Sequence, residues 1–178
     1  MIKFSCEKVF LQNAIAVTSR AVAQKSSIPA LEGLLIHADQ QLTISGYNMQ
    51  TGIRTNVFAN VVEGGDIVLN ARLFGDIIRR MPDDMITFTA DEKMMVHVSC
   101  GDADFDILGL SAADYPELPE VEDEYAVSMK QSVLRRMIEE VAFAVSTNES
   151  RPVHTGALFE IENMCLNMVA VDGFRLAF

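Results

Sequence analysis

Residues 2–5, "IKFS", alternate apolar and polar positions and predict a strand. From residue 7 the period lengthens to that of a helix over 7–22. Phe10, Ala14, Val17 and Ala21 form one stripe, with Leu11, Ile15, Thr18 and Val22 beside it. Lys8, Gln12, Asn13, Ser19 and Arg20 are read onto the opposite, polar side. Beyond Pro29 the segment "LEGLLIHADQQLTISGYNMQTGIRTNVFAN" supplies two strands joined at "HADQQ", and a third around Ile53 and Val57. The plan then recurs: "DIVL" is a short strand, and "ARLFGDIIRR" a helix over 71–80 with Leu73, Phe74, Ile77 and Ile78 inward. "MITFTADEKMMVHVSCGDADFDILGL" gives three more strands. The run Ala38–Leu42 echoes Ala90–Met94 at an offset of 52 residues, so the two hairpins are expected to be equivalent. The pattern predicts an α+β domain made of two βαβββ halves, with helices on one face of antiparallel sheets.

Residues 111–124, "SAADYPELPEVEDE", are rich in proline and acid and read as a surface connector. Beyond them "YAVSMKQSVLRRMIEEVAFAVS" repeats strand then helix, with Leu134, Ile138, Val141 and Val145 on one face. Between residues 4 and 36, nine of 33 positions recur identically at an offset of 123, Pro29 and Gly33 answering to Pro152 and Gly156. Average residue usage would give roughly two. The chain is therefore read as a tandem duplication, with one domain over 1–124 and a second over 125–178. The second copy breaks off inside a strand at "RLAF". Unpaired ladder bonds there lead to the expectation that the sequence is a fragment of something longer.

Of 178 residues 49% are hydrophobic, enough for a substantial core. No apolar run reaches the roughly 18 residues of a membrane span. The opening "MIKFSCEKVF" carries Glu7 and lacks a signal-peptide core, so a cytoplasmic protein is expected. Cys6, Cys100 and Cys165 form no CxxC pair; reduced, buried thiols are expected, with no metal site and no cofactor. The net charge of −11 argues against nucleic acid until its distribution is considered. The predicted helices hold eight of the 14 basic residues but only four of the 25 acidic ones. Glutamate favours helices as much as lysine and arginine do, so propensity does not explain its depletion. Basic helices in an acidic shell suit loose, non-specific, salt-sensitive contact with phosphates.

Candidate chemistry is sparse. His37, His97 and His154 have no partner at a metal-ligand spacing, and no P-loop, GxSxG or GxGxxG occurs. Asp102, Asp104 and Asp106 resemble the start of a calcium loop, but Ile107 stands where that loop needs glycine and Ala113 where it needs glutamate. Alternate residues of a strand share one face, so three aspartates lining water is the stronger reading. Two rivals stay open on these residues: a metal-dependent hydrolase using Asp102, Asp104 and Asp106, and an acidic scaffold that binds peptides without touching DNA.

"KSSIPALEGLLI", "NARLFGDIIRRMP", "LSAADYPELP", "FAVSTNESRPVHTGALFEIE" and "VAVDGFRLAF" occur in that order along the whole chain. Together they resemble the bacterial DNA polymerase III beta subunit, the sliding-clamp family. The resemblance implies a non-catalytic processivity factor: a homodimeric ring of three similar domains per subunit, with helices lining a hole around duplex DNA. It places Lys25, Arg72 and Asn148 at DNA-facing positions; the helix cations Arg20, Arg79, Arg80, Arg135 and Arg136 join them through the charge pattern. It matches His154, Thr155, Val171, Gly173, Phe174, Arg175 and Leu176 to part of a pocket for short hydrophobic peptides of the DNA polymerase III alpha subunit and the clamp loader. His154 departs from the apolar residue usual there. Phe105 and Ile107 match an edge strand at the subunit interface.

Overall fold

The computed structural model describes residues 1–120 and 127–178, which fall into two compact units, Met1–Glu120 and Val121–Phe178. The boundary expected after residue 124 lies outside the described residues.

The first unit runs β1 (Ile2–Glu7), α1 (Lys8–Thr18), β2 (Gly33–Ala38), β3 (Leu42–Tyr47), β4 (Gly52–Val57), β5 (Asn60–Glu63), β6 (Gly65–Asn70), α2 (Ala71–Arg80), β7 (Met85–Ala90), β8 (Met95–Cys100) and β9 (Ala103–Leu108). Its strands form two antiparallel sheets, β5-β1-β7-β8-β9 and β4-β3-β2-β6. The leading strand of each βαβββ half joins the sheet of the other half: β1 pairs with β7, and β6 with β2. The outer edges of the two exchanged strands are covered in the same way. β5 lies on β1, and Leu110 bridges to Val68 of β6 through hydrogen bonds of 2.8 and 3.0 Å.

Strand alternation turns Ile2, Phe4 and Cys6 inward from β1, Ile86, Phe88 and Ala90 from β7, and Val96, Val98 and Cys100 from β8. They meet Leu34, Ile36, Ile44, Ile67 and Leu69 of the other sheet, and the helices, in one core. Phe4 stacks on Phe88 with centroids 4.5 Å apart, and Phe74 of α2 meets Phe88 edge-on at 6.2 Å. Burial drives the Cys6 thiol up to about 12, so it is an inert packing residue.

Several sequence expectations are corrected. The helix predicted over 7–22 ends at Thr18 and tightens into a 3-10 turn over Ser19–Ala21. The stripe Leu11, Ala14, Ile15 and Thr18 is buried, as is Ala21 of the 3-10 turn; Phe10 and Val17 are exposed, because one face of a single helix fits the core. Lys8 is 8% exposed rather than on the polar side. Its ammonium donates to the carbonyl of Met81, which caps α2, and to Asp83, both at 2.7 Å. On α2, Ala71, Phe74 and Ile78 are buried and Leu73 is exposed.

The short strand β5 is not predicted by the pattern; half its residues are polar and it packs only at an edge. The echoed hairpins are equivalent in their first strands, but Ala38 faces Leu42 whereas Ala90 faces Val96. The second loop is two residues longer and turns through Met94 at φ 62°. The connector is partly anchored: Tyr115 is buried with its hydroxyl 3.4 Å from the carbonyl of Ser45, and Leu118 packs beside Tyr47. Residues 121–124 of that connector lie outside the described residues.

The second unit holds α3 (Gln131–Val141), β10 (Leu158–Glu162), β11 (Cys165–Val171) and β12 (Leu176–Ala177), the three strands forming an antiparallel sheet in that order. Val141, Ala144, Met168, Ala170 and Ala177 make its core. Ile138, expected inward, is exposed, and so is Cys165, at the start of β11. This smaller sheet offers α3 a narrower face, so the expected stripe is only partly used. Residues 127–130 carry no strand where one was expected, and Tyr125 and Ala126 lie outside the described residues.

Ile107 belongs to the first core at 3% exposure, whereas its neighbour Phe105 is 40% exposed. Ile107→Lys is expected to destabilise the first unit by about 3 kcal/mol or more, through a buried unpaired charge and lost packing, and Phe105→Lys by about 1 kcal/mol or less. Urea unfolding of both variants checks this, and equal losses would count against the assigned register of β9.

Candidate nucleic-acid interface

Lys25 and Arg72, 47 residues apart in the sequence, border one open groove of about 1030 Å3. The segment after α1 is fixed on its way to Lys25 by Ala23 N–H donating to the Leu31 carbonyl at 3.0 Å. Ser26 N–H donates to a Glu32 carboxylate oxygen at 3.1 Å. Arg72 stands in the first turn of α2, whose N-cap is Asn70: its side-chain oxygen accepts the Leu73 N–H at 3.0 Å. Ser19, Gln24, Glu32, Asn48 and Gln50 add to the polar lining.

A second groove, about 280 Å3, runs between α1 and α2 and is bordered by Arg72 and Arg79. The helices approach closely there, since a Cβ on Gly75 would sit 3.3 Å from Ile15 Cγ2. Arg79 pairs with Asp76 on the same helix. Arg20, Lys25, Arg72 and Arg80 are exposed and make no ion pair among the described residues.

On α3, Arg135 pairs with Glu139 at 2.9 Å and Arg136 with Glu140 at 3.6 Å. Exposed pairs of this kind contribute little, so each arginine can exchange its carboxylate for a phosphate at small cost. Asn148 is exposed in a turn that its own side chain organises, accepting the Ser150 N–H at 3.0 Å.

The residues matched to a peptide pocket fall on two segments of the second unit. Val171 and Leu176 pair across β11 and β12, and Gly173, Phe174 and Arg175 form the turn between them. Asp172 holds that turn. One of its oxygens accepts the Phe174 and Arg175 N–H groups at 2.9 Å, and the other the Arg175 guanidinium at 2.9 Å. Those bonds hold its carboxyl down at about 2. Gly173, at φ 92°, supplies the conformation such a turn needs, and the Asp-Gly pair was the available signal. Arg175 then stacks over the Phe143 ring at 5.9 Å, and Phe174 is left 99% exposed. His154 and Thr155 lie on a 3-10 turn over Pro152–Thr155, tied by the His154 carbonyl to Ser146 N–H at 2.8 Å. No hydrogen bond joins the two segments among the described residues.

β9 is the free edge of its sheet. Asp104 and Asp106 face outward from it and flank His97 of β8 at 3.3 and 2.9 Å. The hydrogen bond to Asp106, foremost, raises the His97 pKa above its ordinary value. Asp102 sits in the preceding turn and does not join them. No group of three or more metal-ligating side chains is suitably placed among the described residues, and no helix there is long and apolar enough to cross a membrane.

Comparison with known proteins places both units. Residues 2–119 match the family described as DNA polymerase III beta subunit, N-terminal domain, and residues 128–178 match its central domain. The beta sliding clamp of Halalkalibacterium halodurans is 35% identical over 95% of the chain and 47% of that relative. A crystal structure titled as a putative DNA polymerase III beta subunit from Eubacterium rectale superposes with a TM-score of 0.95 at 32% identity, over 99% of the chain and 48% of that one. The DNA polymerase sliding clamp of Bacillus subtilis gives 0.93 at 29%, over 98% and 48%. The chain spans about half the length of the relatives it matches.

The turn at Asp172 predicts a pH dependence. A carboxyl held at about 2 in the fold, against an ordinary 3.8, stabilises the turn fully above about pH 4. That contribution declines as pH falls and is gone below about pH 2. The Asp172 carboxyl carbon, followed by NMR, should titrate near 2, and Asp172→Ala should speed exchange of the Phe174 and Arg175 amides. A midpoint in the usual carboxylate range would mean that something else holds the turn.

Proposed function

The chain belongs to the DNA polymerase III beta-subunit family, and from that membership we propose that it forms part of a ring-shaped processivity factor that encircles duplex DNA. Residues 1–124 and 125–178 are successive clamp domains in this reading. The observation that carries it is the convergence of Lys25 and Arg72 on one open groove beside the α1–α2 pair. A tether has no bond to break, so it needs a surface that attracts phosphates loosely and no catalytic constellation; the role proposed is non-catalytic and cytoplasmic. Arg20, Arg79 and Arg80 are proposed as further DNA contacts of the first unit, and Arg135, Arg136 and Asn148 as contacts of the second.

The turn Val171–Leu176, with His154 and Thr155, is proposed as part of a seat for hydrophobic peptides of the DNA polymerase III alpha subunit and the clamp loader. Phe174 is the exposed apolar anchor there and Arg175 the adjacent cation. The β9 edge is proposed as the dimer contact. Phe105 supplies the side chain and Ile107 only its backbone, since its side chain packs inward.

Binding of the chain to short linear duplex DNA, measured by NMR titration at several salt concentrations, tests the DNA reading. Weak binding is expected, with log K falling linearly with log salt at a slope of about −3, for three or four phosphates neutralised. Lys25→Ala with Arg72→Ala should remove about two from that slope. Unchanged binding in the double variant would sink the assignment and favour a peptide-only scaffold.

A further inference from the structure

Lys25 and Arg72 account for the charge of the large groove but not for the part of its lining that comes from the β3–β4 turn. That turn, Asn48–Thr51, is unusually well determined for an exposed hairpin tip. The Asn48 side-chain oxygen accepts the N–H groups of Gln50 at 3.0 Å and Thr51 at 2.7 Å. Its backbone N–H donates to the Thr51 carbonyl at 3.2 Å, and Met49 takes φ 72°. Such a network removes most of the turn's freedom before any ligand arrives. The side chain it presents is Gln50, exposed and lining the same groove as the two cations.

We propose that the β3–β4 turn is a third, uncharged DNA-contact element, with Gln50 donating its side-chain amide to a backbone phosphate or sugar oxygen while Lys25 and Arg72 supply the charge. The inference rests on the DNA reading of this groove and adds a residue to it. Carboxamides commonly contact phosphate and sugar, fixing register without carrying sequence information. Duplex DNA fits better than a small anion, because the groove is large, open and set with dispersed polar groups rather than closed on one point. The acid in the lining, Glu32, already accepts the Ser26 N–H. The dipole of α2 adds positive potential at its start, beside Arg72.

An uncharged contact has a signature that a cation lacks. Gln50→Ala should weaken binding of the 178-residue chain to short duplex DNA about fivefold at every salt concentration, with the salt slope unchanged. Gln50→Lys should tighten binding at low salt and steepen the slope by about one, since a cation there neutralises one more phosphate. Circular dichroism and amide spectra check that both variants keep the fold. Wild-type affinity in Gln50→Ala together with an unsteepened slope in Gln50→Lys overturns the inference, and the Lys25 and Arg72 double variant then reports separately on the DNA reading. If that double variant also binds like the wild type, both fall.

Discussion

The exchange of leading strands is the constraint on which the first unit depends. β1 cannot bury Phe4 against its own half, because the surface that receives it, Phe88 and Phe74, belongs to the other. Likewise β6 brings Ile67 and Leu69 to β2. Neither half closes a core alone, so the two fold as one body with both sheets and both helices around a single interior. The stacked aromatics lie where the exchanged strand, its new neighbour and α2 meet. Removing one of them would open a cavity shared by both halves.

From that arrangement follows the placing of the helices. Each is fed directly from an exchanged strand, so α1 and α2 start from the two different sheets and pack against each other. Lys8 then joins the beginning of one helix to the end of the other by donating to the Met81 carbonyl. A buried ammonium is costly unless its protons are satisfied, and here a helix-terminal carbonyl and a carboxylate meet that need. At the opposite end the first turn of α2 and the segment after α1 are left apart, and the groove of Lys25 and Arg72 lies between them. The site is thus a by-product of how the core closes, made of side chains that the core does not use.

The electrostatics are consistent with a surface that attracts without gripping. The chain is strongly acidic overall, yet its exposed helix cations stand beside carboxylates only within their own helices. The remaining acids are concentrated elsewhere, including Asp104 and Asp106 on the outer face of β9, where His97 bridges them. Protonated His97 relieves the repulsion between those two carboxylates. The hydrogen bond to Asp106, foremost, and the charges of both carboxylates let the group hold its proton to higher pH than an isolated histidine, and the relief fades as pH rises through that raised value.

Periodicity made most of the strands and all three helices legible, because burial on one face imposes a period of two or 3.6 on any sequence that satisfies it. The repeat was read from identities at an offset of 123, and its matched Pro29 and Pro152 each open a 3-10 turn that leads through a glycine into a strand. The charge bias of the helices was legible for the same reason: composition within an element needs no partner to be counted. What the sequence could not decide is which element meets which. The strand exchange, the edge strand β5 and the burial of Lys8 and Tyr115 all depend on residues far away in the chain. The register inside the second unit, which leaves Cys165 and Ile138 exposed, was likewise settled only by the small sheet that forms there. Lys25 and Arg72 were picked out by resemblance, but only the closing of one core around two exchanged strands brought them, with Gln50, to the same groove.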